Sequence, residues 1–292
     1  MSEMNLFLEE KGPLKRGTLW EKVKECTQKA LECGALLSIP TECEFIEEAG
    51  VRFVVRVASN LVRKDELKKD GKKPKDFNPF LPYEEDLFVA DISETHLCLL
   101  NKFNVVDYHL LIVTRVFEEQ ETWLNLEDFE AMMLVLNEFQ GLVFYNSGKL
   151  AGASQRHKHL QVVPVMDIPI EGFLEGVVFD ENGVGMVPGF DFVHGFSRLD
   201  KGGKSLLEVY HCLLKSVGFD GDFVGDASGA YNLLATRDWM LVVRRSQEDF
   251  EGISVNGLGF AGTFFVRNEG QLEKLKNMGP FKVLKEVACR LG

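Results

Sequence analysis

The chain has 292 residues, 45% hydrophobic and 27% charged, the composition of a globular protein with one large or two modest domains. A formal net charge of −12 argues against general affinity for nucleic acid or an anionic membrane, so any cationic site for a small anion must be local. Six scattered cysteines without a C-x-x-C pair fit reduced thiols, the opening residues lack a basic-then-apolar leader, and no apolar run reaches membrane length; a cytoplasmic protein is expected.

A helix is predicted over residues 18–31. Thr18 and Glu21 have capping-box spacing, Leu19, Val23, Cys26 and Ala30 recur on one face, and Gly34 stops it. Residues 51–58 read as a strand. The stretch 60–82 is a long polar loop carrying Arg63, Lys64, Lys68, Lys69, Lys72, Lys73 and Lys75. A solvated loop accounts for most of these lysines. In so acidic a chain the cluster also fits a cationic flap over a polyphosphate, with Lys64 best anchored because it follows the strand closely. Strands over 86–92, 95–103 and 108–114, joined by short turns, form an antiparallel meander. Asn125 can cap a helix over 126–140, and 142–145 and 157–165 supply further strands. Residues 168–204 are rich in Gly, Pro and Phe and read as irregular, so a boundary is drawn between a region 1–185 and a region 186–292. Beyond it come a helix over 205–217, a hairpin of strands 231–236 and 239–244, a Gly-rich strand region over 252–266, and two closing helices parted by Gly279-Pro280. Gly203-Lys204-Ser205 is no phosphate-binding P-loop: Arg198 stands where its first glycine should be, and no strand precedes it.

The densest chemistry lies at Gly152-Ala153-Ser154-Gln155 followed by His157-Lys158-His159-Leu160-Gln161. On a strand, alternate side chains share a face, so His157, His159 and Gln161 point one way and Lys158, Leu160 and Val162 the other. Two imidazoles beside a turn whose backbone N–H groups can approach an anion fit covalent catalysis on a phosphate. By itself the pair fits equally a metal half-site or a polar patch on a sheet. His96 and His109 sit on predicted strands among apolar neighbours and read as satisfied core residues.

Asn146-Ser147-Gly148 leading into this motif resembles the histidine-triad superfamily, whose transferase branch carries His-x-His-x-Gln where its hydrolase branch has a third histidine. Within that branch the chain is similar to the ATP adenylyltransferases, also called diadenosine tetraphosphate (Ap4A) phosphorylases. The likeness rests on four segments: Phe77-Asn78-Pro79-Phe80-Leu81-Pro82-Tyr83-Glu84; Leu100-Asn101-Lys102-Phe103-Asn104-Val105-Val106-Asp107 running on to His109 and Thr114; the histidine motif; and Tyr231-Asn232-Leu233-Leu234 with Trp239-Met240. It spans roughly residues 51–266. One departure is Arg244, where the family has proline before the arginine represented by Arg245; its effect is expected on strand pairing rather than on chemistry.

The resemblance implies an α+β fold: a histidine-triad-like antiparallel sheet flanked by helices, with a C-terminal α/β extension packed on it. It implies a nucleotidyltransferase that converts Ap4A and phosphate reversibly to ATP and ADP. His159 would be the nucleophile, forming a covalent His159–AMP intermediate, with the backbone near His157 orienting its ring. Gln161 can donate a hydrogen bond to a phosphate oxygen but cannot trade protons, which suits transfer between phosphates and disfavours hydrolysis. Gly152, Ala153, Ser154, Gln155 and Asn146 are expected at the phosphates, Asn101 at the ribose, and Lys64 over the polyphosphate. The expected ligands are ATP, ADP, Ap4A and phosphate, with Mg²⁺ on the polyphosphate rather than on dedicated protein ligands, and with no nucleic-acid or membrane partner. The oligomeric state is left open. Rival readings are a sugar-1-phosphate nucleotidyltransferase or nucleotide-sugar phosphorylase using the same motif, a non-catalytic nucleotide sensor, and a zinc protein built on His157 and His159.

Overall fold

The structure, a computed structural model, describes residues 14–57, 77–165, 167–199 and 204–291. Helix α1 (Leu19–Glu32) comes first, followed by a hairpin of β1 (Glu42–Glu48) and β2 (Val51–Val57). A meander of β3 (Phe88–Asp91), β4 (His96–Leu100) and β5 (Leu110–Thr114) leads into α2 (Leu126–Leu136), β6 (Gly141–Asn146) and β7 (His159–Pro164). The short helix α3 (Glu171–Leu174), β8 (His194–Arg198), α4 (Leu206–Ser216), β9 (Tyr231–Ala235) and β10 (Trp239–Arg244) follow. The chain closes with a two-stranded ribbon, β11 (Asp249–Phe250) and β12 (Ile253–Ser254), then α5 (Gly257–Phe260), β13 (Thr263–Val266), α6 (Glu269–Met278) and α7 (Pro280–Val287).

Eight strands make one antiparallel sheet in the order β3-β4-β5-β7-β6-β9-β10-β8. Five of them precede residue 186 and three follow it, so the two regions share one sheet. Strands β4, β5 and β9 are buried along their whole length because both faces are covered. One face packs Val143, Tyr145, Leu160 and Val162 against α1, α2 and α4 through Leu19, Phe129, Met132, Tyr210 and Leu213. The other packs Phe144, Val163, Leu234 and Leu241 under a three-stranded sheet, β1-β2-β13, and the closing helices. His159 has the parity of Val163 and therefore belongs to that second face.

Several sequence expectations change in detail. The first helix has no Thr18 side-chain cap: the hydroxyl turns back to Lys15 O, and Glu138 accepts from the N–H groups of Gly17 and Leu19 instead. A carboxylate from the end of α2 thus does the capping. The supposedly irregular stretch 168–204 contributes β8, the edge strand beside β10. The Gly-rich region 252–266 is broken by α5, whose cap Asn256 accepts from Leu258 N. The α2 helix stops at Leu136, short of the expected 140. Arg244 N–H donates to Val193 O at 3.3 Å, a bond proline could not make, while its guanidinium lies over Phe219 and donates to Val217 O and Gly218 O. No described helix is long and apolar enough to cross a membrane.

Candidate active site

A cleft of about 900 Å³ opens where β7 begins. Its walls include Asn101, His109, Gln120, Gly152, Ala153, Ser154, Gln155 and Gln161, with Glu248, Asn256 and Arg267 from the C-terminal third. A volume of that size holds a nucleotide-scale ligand. His159 is tied to this wall through its backbone: its N–H donates to Gln120 Oε1 at 2.9 Å and its C=O accepts from Gln120 Nε2 at 3.1 Å. Gln161, two residues along β7, shares its face.

The two histidines form a relay that sets their tautomers. His157 lies between Thr114 and Asn78: its Nε2 is 2.8 Å from Thr114 O, and its Nδ1 is 3.0 Å from Asn78 Nδ2. A carbonyl only accepts, so Nε2 carries the proton and Nδ1 accepts from the Asn78 amide. The same logic applies one step on. His159 Nδ1 is 2.8 Å from His157 O, so Nδ1 is the protonated nitrogen and the Nε2 lone pair is left over. Nε2 makes no hydrogen bond among the described residues, and the residue as a whole is 5% exposed. Phe80 covers both rings, its centroid 5.7 Å from His157 and 5.3 Å from His159. Desolvation is the main consequence. Burial pulls the His159 pKa down to about 4, opposed by the bond to His157 O and reinforced by the neighbouring imidazole. Burial lowers His157 too, against its bonds to Thr114 and Val116 carbonyls. Both rings are neutral near pH 7.

The turn between β6 and β7 is glycine by necessity at two points. Gly148 has φ of +80° and a Cβ there would meet Glu121 at 2.6 Å; Gly152 has φ of +92° and its Cβ would meet Asn256 Cα and Val255 O at 2.9 Å. The turn is held from behind by a buried chain of amides. Arg245 donates to Asn232 Oδ1 at 2.6 Å and to the carbonyls of Ala151, Gln247, Glu248, Val255 and Val287. Asn232 Nδ2 donates to Ala151 O and to Asn146 Oδ1, which also accepts from Gly257 N. Arg245 is 4% exposed with carbonyls as its hydrogen-bond partners, and desolvation lowers its pKa to about 9, so it remains cationic behind the turn.

On the opposite side of the chain, just before β7, Lys158 is buried at 1% exposure. Its Nζ lies 2.6 Å from Asp128 Oδ2 and 3.1 Å from Glu118 Oε2, and donates to Trp123 O. Asp128 also bonds His96 Nε2 at 3.0 Å and the N–H of Asn125, whose side chain completes the capping box of α2. Despite its burial, the Asp128 carboxyl sits below its usual range, because the His96 and Lys158 bonds outweigh desolvation.

Of the residues singled out in the sequence, Asn101, Gly152, Ala153, Ser154, Gln155 and Gln161 line the cleft together. His157 and His159 are not among the residues that line it; His159 is joined to it through its backbone bonds to the lining residue Gln120. Asn146 is 1% exposed: its Oδ1 is taken by Asn232 and Gly257, and its Nδ2 is buried with no partner. Lys64, with the other lysines of the 58–76 stretch, lies outside the described residues. His96 is a satisfied core residue through Asp128, as expected. His109 differs from expectation: it lines the cleft and bonds Asn101 Nδ2 through Nδ1 at 3.3 Å. Among the described residues no group of three or more His, Cys, Asp and Glu is placed to hold a metal. Sequence reasoning missed Gln120, which carries no motif and whose partner His159 is 39 residues away, and it noted Arg245 as a family arginine without assigning it the role of holding Ala151, 94 residues away.

Residues 9–175 match the Ap4A phosphorylase N-terminal domain, and residues 188–290 match the ATP adenylyltransferase C-terminal domain. The chain belongs to the Ap4A phosphorylase family. It is 30% identical over 245 residues to diadenosine 5′,5‴-P1,P4-tetraphosphate phosphorylase 2 of Saccharomyces cerevisiae, covering 72% of this chain and 75% of that protein. Protein APA1 of the same yeast is 25% identical over 288 residues, 85% of this chain and 86% of APA1. The crystal structure of yeast Ap4A phosphorylase Apa2 shares the fold, with a TM-score of 0.79 at 24% identity over 94% of this chain and 95% of that one. The same yeast protein in complex with AMP superposes with a TM-score of 0.78 at 24% identity, covering 95% of this chain and 98% of that one.

Proposed function

We propose that this member of the family catalyses reversible phosphorolysis of Ap4A to ATP and ADP through an adenylyl group carried on His159. The observation that supports it is the relay from Thr114 through His157 to His159: it presents a neutral imidazole with a free Nε2 lone pair, on a residue whose backbone is bonded to Gln120 of the cleft that Gly152 also lines.

Nε2 attacks the α-phosphorus and forms a P–N bond. The P–O bond to the β-phosphate breaks, and ATP leaves with the electron pair. A terminal phosphate needs no proton to leave, which suits Gln161 at the position where a proton donor could stand. The ring becomes cationic as the bond forms, and Nδ1–H donates to His157 O, so the positive charge meets a fixed carbonyl dipole. Phosphate then attacks the same phosphorus from the opposite side, the P–N bond breaks, and ADP departs while His159 returns to its neutral form. Two displacements avoid holding two polyphosphates in one site. Backbone N–H groups of Gly152 to Gln155, with Arg245 behind them, supply positive potential at the α-phosphate. Asn101 is assigned to the ribose, and Ser154 and the unspent Nδ2 of Asn146 to the phosphate side. Mg²⁺ would enter on the polyphosphate and neutralise leaving-group charge.

Product analysis with Ap4A, with and without phosphate, tests this reading. ATP plus ADP formed only when phosphate is present is the expected result. AMP plus adenosine tetraphosphate, two ADP irrespective of phosphate, or binding without turnover would each overturn it.

A further inference from the structure

The sheet has a defect at His159. Strands β6 and β7 pair in register from Gly141↔Pro164 to Phe144↔Gln161 and then stop. Continued by two residues, that register would set Asn146 opposite His159. Strand β7 goes on pairing with β5 to Val113↔His159, and β6 goes on pairing with β9 to Asn146↔Asn232. The two strands therefore part at the histidine while each stays bonded on its outer side.

The side chain of Gln120 fills the fork. Its Oε1 accepts from His159 N at 2.9 Å, and its Nε2 donates to His159 O at 3.1 Å and to Asn146 O at 2.9 Å. One carboxamide thus replaces the missing peptide unit and satisfies both backbone groups of His159. The fork is itself tied down: Gln120 N–H donates to Arg156 O at 2.6 Å, and Tyr145 OH donates to Gln120 O at 2.5 Å. Gln120 is 2% exposed. We propose that Gln120 is a positioning residue that splints the parted strands, fixing the His159 backbone so that its ring meets the α-phosphorus while the fork leaves room for the Gly148–Gln155 turn. The inference rests on His159 being the nucleophile.

The splint needs a donor and an acceptor on one planar group, which makes Gln120→Glu the informative change. As a carboxylate it keeps the bond from His159 N–H but sets an oxygen anion against two carbonyl oxygens. Protonated, it donates again. Adenylyl transfer to the enzyme is followed in single-turnover mixing with Ap4A, without phosphate, beside AMP affinity and circular dichroism for folding. At pH 8 the rate is expected to fall by about 10²-fold with AMP affinity nearly unchanged, the scale expected for a misplaced reacting group. The ratio of Gln120→Glu to wild-type rate is expected to rise at least several-fold as pH falls from 8 to 5.5. Gln120→Leu, which cannot donate at any pH, is expected to stay slow throughout. A folded Gln120→Glu that reacts at the wild-type rate at pH 8, or a loss that acidification does not recover, overturns the splint. If wild-type enzyme turns over with no adduct at all, it is the nucleophile assignment that fails instead.

Discussion

Lys158 and His159 are neighbours in sequence, both buried, and handled in opposite ways. Lys158 points to the α2 face, where Asp128 at 2.6 Å and Glu118 at 3.1 Å supply carboxylate partners. His159 points to the cleft face, where Phe80 and His157 supply no counter-charge and desolvation holds the ring neutral. Burial alone does not decide ionisation; the partner does. A one-residue step at the start of β7 thus separates an anchor from the residue assigned as nucleophile.

The largest effect expected from breaking this contrast is at His159 itself. His159→Ala should lower kcat by at least about 10⁴-fold while leaving AMP affinity within a few-fold, read by steady-state phosphorolysis and calorimetry. On the other face, Lys158→Met leaves Asp128 buried without its cation. A loss of about 3–5 kcal/mol in urea unfolding is expected, and the double change Lys158→Met with Asp128→Leu should recover part of it, less the α2 cap at about 1 kcal/mol. Full stability of the single variant would mean that the ion pair is not what holds β7 to α2.

The pH dependence sharpens the same comparison. His159 is lowered from 6.5 to about 4 on folding. The unfolded chain therefore binds a proton that the native chain refuses between those values. The stabilisation, about 3 kcal/mol, is complete above pH 6.5 and is lost as pH falls toward 4. Adenylyl transfer to the enzyme should correspondingly stay flat from pH 8 to about 5 and then decline. Phe80→Ala, which lets water reach the ring, should move that decline to higher pH; an unmoved profile would remove Phe80 as the cause. Smaller still, Gln161→His places a proton donor two residues from the nucleophile and should raise phosphate-independent AMP release by about tenfold. Asn101→Ala should raise KM about fivefold with kcat little changed.

The legible part of the site was its strand. Period-two alternation at 157–161 predicts which side chains share a face, and the structure places Leu160 and Val162 in the α2-side core with Lys158 buried beside them. The meander, the 231–244 hairpin and the α6–α7 break at Gly279-Pro280 were readable for the same local reasons. What escaped was non-local or disguised. β1 escaped because it carries Glu42, Glu44, Glu47 and Glu48 on an exposed edge, and β8 because five strand residues are hidden among Gly, Pro and Phe. Gln120 has no pattern in its own surroundings, since its meaning lies in a register that ends at Phe144. The α1 cap failed because Glu138, 119 residues from Leu19, competed for its donors and won. The cationic stretch around Lys64 remains an expectation, outside the described residues.

The most direct test of the central claim is rapid mixing of excess enzyme with Ap4A labelled in the α-phosphates, quenched in alkali where a phosphoramidate survives. The account predicts close to one AMP per chain, mapped to His159, formed at least as fast as kcat and discharged to ADP on adding phosphate. Turnover at the normal rate with no labelled protein, or label that persists in His159→Ala, would contradict it.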